Sequence, residues 1–97
     1  MLFLETESIE LKQDYAESIR KDIIAFANTN GGIIYVGVRD NGEVVGVASP
    51  DQMMQRISNM VRDSIKPDVT MFVHYDPEET DGKKIVKVSV NRGTGRP

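Results

Sequence analysis

The residues with the plainest chemistry are the cations near the C-terminal end: Lys83, Lys84, Lys87, Arg92 and Arg96, with no acid among or after them. Ammonium and guanidinium groups in such a run neutralise the backbone phosphates of nucleic acids. Lys12, Arg20 and Lys21 extend the patch if the fold brings them to the same side. The mechanical account of the same lysines is a solvated edge strand that resists edge-to-edge pairing. The other end of the chain is acidic: up to Ser18 it carries Glu5, Glu7, Glu10, Asp14 and Glu17 against Lys12 alone. Carboxylates gathered in space hold hard divalent cations such as Mg²⁺ or Mn²⁺, and such an ion assists phosphodiester cleavage by activating water or stabilising the leaving oxygen. Left apart, they are ordinary surface acids and turn residues. The single histidine, His74, excludes cleavage by a histidine pair and reads as structural.

Asn30-Gly31-Gly32 offers glycines for a phosphate loop, but in the wrong polarity. Phosphate loops lead into a helix N-terminus, whereas these glycines follow a helix C-terminus, whose dipole repels anions. They are read as a structural turn, with Gly31 at a positive φ just past the helix end.

Those glycines divide a helix from a strand. Tyr15, Ile19, Ile23 and Phe26 recur at four, four and three, one face of a helix from Asp14 or Tyr15 to Asn30, with Ile24 off that stripe and free for a partner. Ile33 to Val38 is an almost unbroken apolar run, which suits a central strand covered on both faces. Gly37 within it suits a bulge or close packing. Before the helix, Ser8 to Lys12 alternates as a short strand. After the central run, Asn41-Gly42 signals a hairpin, with Glu43 to Val47 returning beside it. Ser49-Pro50-Asp51-Gln52 opens a second helix with a capping box. Met53, Ile57, Met60, Val61 and Ile65 form its apolar face, and Pro67 ends it. Val69 to Tyr75 and Ile85 to Val90 are two more strands, joined through a turn at Asp81-Gly82. The order β-α-β-β-α-β-β gives an α+β, two-layer domain with a largely antiparallel sheet and two helices on one face.

The 97 residues are enough for one domain, and the 39% of hydrophobic residues supply one modest core. The absence of cysteine excludes disulfides and thiolate metal sites and suits the cytoplasm. No stretch has the length of a membrane span. The net charge of −3 works against nucleic-acid binding and favours a rival reading as a protein interaction or dimerisation domain.

ETESIELK, AFANTNGG and YVGVRDNGEVVG together resemble the Schlafen-AlbA family of DNA-binding domains, from about Glu5 to Val90. The resemblance implies an Alba-like fold, DNA or RNA as partner, and a place as the N-terminal domain of a bacterial transcriptional regulator with further domains. It also implies one more strand after Pro97, so the chain is expected to be a truncated domain, and Alba-like pairing makes a homodimer a further expectation. In vertebrate members three carboxylates are linked to RNA cleavage. Two lie five residues apart, as Glu5 and Glu10 do; the third follows the VGV strand, where Arg39 comes first and Asp40 second. If the second position is the one that matters, Glu5, Glu10 and Asp40 would be catalytic and would hold Mg²⁺ or Mn²⁺. Otherwise no cofactor is expected.

Overall fold

The computed structural model describes residues 3–64 and 73–92. Six elements follow in order: β1 (Ile9–Lys12), α1 (Ser18–Ala27), β2 (Gly32–Val36), α2 (Pro50–Ser64), β3 (Val73–Thr80) and β4 (Lys83–Val90). The strands form one sheet in the order β1-β2-β4-β3. β1 runs parallel to β2, and β4 is antiparallel to both β2 and β3. The architecture is α+β and mostly antiparallel, as the sequence implies.

Alternation assigns each strand residue to a face. Ile34 and Val36 of β2 lie beside Val88 and Val86 of β4. These four pack against Ile19, Ile23 and Phe26 of α1 and Ile57, Met60 and Val61 of α2, so both helices cover the same face. The opposite face carries a smaller cluster of Leu11, Val38, Val44 and Ile85, flanked by Phe3, Ile9 and Tyr35. β2 is thus an interior strand, fully covered on the helix face and partly covered on the other.

Both helices obey their signals, with adjusted ends. Ser49 Oγ accepts the Gln52 N–H at 3.3 Å, so the second helix is capped as its sequence requires. α1 begins at Ser18 rather than near Tyr15. Asp14 Oδ1 takes the Tyr15 N–H at 2.7 Å, and the Ile19 and Arg20 N–H groups bond only three residues back, to Ala16 and Glu17. Its C-terminal end falls at Ala27 rather than Asn30. The Thr29 hydroxyl bonds the Ala25 carbonyl at 2.9 Å, and the Gly31 N–H closes onto the Phe26 carbonyl at 2.9 Å, a Schellman-type ending. Gly31 has φ 84°, and a Cβ there would stand 2.6 Å from the Val90 carbonyl oxygen.

Three expectations are corrected. The central run stops pairing as a strand at Val36, because Gly37 takes φ 109° and the Gly37 and Val38 N–H groups both reach the Lys12 carbonyl, at 2.7 and 3.0 Å, as a bulge. Glu43 to Val47 is not a full strand: its antiparallel pairing with the central run is the single bridge Val38–Val44, after which the Val47 N–H turns to the Lys84 carbonyl. β4 takes the vacant place beside β2, so the lysine-rich strand is interior rather than an edge. The edge on that side is β3, which continues past Tyr75 to Thr80 and contains Pro77, a residue an edge strand tolerates. Ile65, Pro67 and the expected strand start at Val69 lie outside the described residues.

Candidate nucleic-acid interface

The basic run lies along β4 but does not form one patch. Lys83 and Lys87 share the open face of the sheet, away from the helices, while Lys84 lies on the helix face, since three residues of strand reverse the side. Arg92 lies two residues beyond the strand, at the end where β2 begins; its backbone nitrogen is 3.3 Å from the position of a Gly31 Cβ. Arg96 lies outside the described residues. The β3–β4 hairpin folds acids onto the lysines: Asp76 stands opposite Lys87 and Glu79 opposite Lys84. Lys87 Nζ is 3.8 Å from Glu78 Oε2, a half-exposed pair of small energetic weight. Lys83, Lys84 and Arg92 have no carboxylate partner among the described residues.

Lys12 is placed elsewhere. It projects from β1 toward α1, where its ammonium lies 3.4 Å from Asp22, 3.8 Å from Glu10 and 2.8 Å from the Ser18 hydroxyl. Asp22 Oδ2 is shielded from solvent and makes no hydrogen bond, so the ammonium is the charge that offsets it. Asp22 and Ser18 are the residues that sequence reasoning missed. Their spacing of four on one side of α1 was visible, but β1 as the neighbour of that side was not.

The acids divide as well. Glu5 and Glu10 come within hydrogen-bonding reach of each other, and burial, Asp22 and Glu5 raise the Glu10 carboxyl above its usual range against the opposing pull of Lys12. Glu5 Oε2 also accepts the outward-facing Leu11 N–H of β1 at 3.3 Å, closing part of that sheet edge. Asp40 is not drawn into this group: it is exposed in the turn after Val38, where Arg39 pairs with Glu43 at 3.0 Å. Among the described residues no group of three or more His, Cys, Asp or Glu side chains is placed to hold a metal ion. Asp40 thus stands apart from Glu5 and Glu10, and the three expected carboxylates are not gathered into one cluster. His74 is exposed on the open face beside Ser89.

The glycine turn, the bulged VGV segment and the paired Glu5 and Glu10 lie within a single match to a known family, Schlafen, AlbA_2, over residues 5–97. The chain belongs to the Schlafen AlbA_2 family. Among solved structures, this AlbA_2 domain is similar to the N-terminal domain of an ATP-dependent DNA helicase RecG-related protein from Nitrosomonas europaea, with a TM-score of 0.73 and 25% identity. That match covers 91% of this chain and 65% of the other. The fold is also shared with the DIP2311 protein of Corynebacterium diphtheriae, at a TM-score of 0.66 and 16% identity over 94% of this chain and 19% of that one. The AlbA_2 domain thus spans under two thirds of the first chain and about a fifth of the second. No helix among its described residues is long and apolar enough to cross a membrane.

Proposed function

We propose that this AlbA_2 domain is a nucleic-acid-binding module that contacts backbone phosphates and reads little sequence. Its family, and its likeness to a domain of a protein named as DNA helicase-related, support a nucleic-acid-related role. The observation that carries the reading is local. In a chain of net charge −3, Lys83 on the open face and Arg92 just beyond it keep their charges free of carboxylate partners among the described residues. The setting we propose is a cytoplasmic bacterial transcriptional regulator with further domains.

Each phosphate neutralised releases condensed counterions, so log affinity falls linearly with log salt, by about 0.9 per contact on duplex DNA. Titrating a fluorescent duplex at several salt concentrations should give a slope near −3 for about three contacts, and affinity of roughly 10⁻⁴ to 10⁻⁶ M with little sequence dependence. A flat salt response would overturn the proposal.

A metal-dependent ribonuclease is the second reading, on the observation that Glu5 and Glu10 do meet. It requires Mn²⁺-dependent cleavage of a structured RNA that Glu10→Ala abolishes. A third reading, self-association, has Leu4 and Ile24 exposed, at 72% and 38%, and sedimentation at high micromolar concentration checks it.

A further inference from the structure

The concavity beside the start of α2 is lined in part by Asp14, and its neighbour beside Lys84 by Asp51, Glu78 and Glu79. A concavity of about 450 Å³ at the opposite end of the sheet has no carboxylate in its lining. It lies where β1 and β2 begin and β4 ends, and its polar side chains are Ser8, Asn30, Ser89 and Asn91. None of the four makes a side-chain hydrogen bond to another described residue. Arg92 follows directly.

From this end a strip runs up the open face. Ile33 stands beside Ser89, and Tyr35 beside Lys87. Tyr35 meets Phe3 with ring centroids 4.6 Å apart, which puts an aromatic surface at the upper end. The open-face strand positions of β1, β2 and β4 hold no acid; those of this face, Asp76 and Glu78, belong to β3. The C-terminus of α1 adjoins the concavity, and its dipole disfavours a phosphate there. Neutral amides and hydroxyls suit the uncharged parts of a nucleotide, while Lys87 and Arg92 flank them with charge. Unstacked bases bind aromatic side chains in this manner only when they are not held in a duplex.

We propose that the open face from Asn91 to Tyr35 binds single-stranded nucleic acid, with sugar and base edges in the Ser8–Asn30–Ser89–Asn91 concavity, phosphates on Arg92 and Lys87, and a base against Phe3 and Tyr35. This rests on the nucleic-acid-binding reading above and names its ligand and its surface.

The test is fluorescence anisotropy of the domain with labelled uniform RNA and DNA single strands and with a duplex of the same length. Tyr35→Leu keeps the apolar contact but removes the stacking surface, and exposed Asn91→Glu adds a carboxylate outside the core. Circular dichroism checks both folds, and Lys84→Ala on the helix face is the control. Single strands should bind more tightly than duplex, and Tyr35→Leu should lose about 5- to 150-fold of that affinity, the span set by one base stack. Asn91→Glu should weaken single-strand binding as well, and Lys84→Ala should not. Duplex binding equal to or above single-strand binding, with the two open-face variants silent, overturns this inference and leaves the phosphate-binding reading standing. Binding of neither form overturns both. Variants that change the sedimentation coefficient and not the affinity assign the face to a second copy of the chain and overturn the inference too.

Discussion

The Lys12 ammonium lies 3.4 Å from the Asp22 carboxylate, tying the edge strand to the helix that crosses over to its neighbour. Both side chains are mostly withdrawn from solvent, at 19% and 23% exposed. Removing the cation leaves Asp22 beside Glu10 without compensation. Lys12→Met, which keeps the apolar stem, should lower the unfolding free energy by about 1–2 kcal/mol, between the values for exposed and buried pairs. Urea denaturation measures it. The same variant should leave the salt slope of nucleic-acid binding unchanged, because this lysine is already spent inside the protein.

Glu10 makes the same corner pH-sensitive. Burial first, then Asp22 and Glu5, raise its carboxyl above the ordinary value of 4.5. The folded state therefore holds a proton that the unfolded chain has released once the pH passes that value. Stability falls as pH rises from about the unfolded pKa through the folded one. Glu10→Gln cannot release that proton, so its urea midpoint should fall less over this interval than that of the parent chain. Equal slopes for the two would mean that Glu10 is not the group responsible.

Gly31 is held by backbone on both sides. At φ 84° an alanine is strained, and its Cβ would press on the Val90 carbonyl at 2.6 Å. Gly31→Ala should cost about 1–3 kcal/mol, read from the shift in thermal midpoint. A loss near zero would show that the α1–β2 turn can relax away from β4.

How much of this was legible depends on the range of the interaction that decides it. Ser49 and Gln52 cap α2 within four residues, and Gly31 closes α1 within six, so both could be read directly. The alternation of Val86, Val88 and Val90 gave β4 its buried face. Its place between β2 and β3 is a non-local pairing, and Val44, Val45 and Val47 offered an equally apolar competitor. Backbone decided against that competitor: the Val45 and Gly46 N–H groups both converge on the Gly37 carbonyl, at 2.8 and 2.9 Å, and the segment leaves the sheet after one bridge. In the candidate site, Asp22 comes to Glu10 only because α1 returns over β1. The opposite facing of Lys84 and Lys87 was legible from parity alone.

That parity supplies the last prediction. Lys84 lies on the helix face opposite Glu79, and Lys87 on the open face opposite Tyr35 and Asp76. A nucleic acid on one face of the sheet meets only one of the two. If the open face is used, Lys87→Ala should flatten the plot of log affinity against log salt by about 0.7 for a single strand, one phosphate contact, and Lys84→Ala should leave it unchanged. Glu78 competes for the Lys87 ammonium at 3.8 Å. Glu78→Gln should therefore raise affinity at low salt and steepen the slope, opposite in sign to the lysine variant. The three titrations separate a contact from a general charge effect, since Glu78→Gln and Lys84→Ala change net charge in opposite directions by one unit each. Equal and opposite responses from those two would mean that only overall charge matters and that neither face is the binding surface.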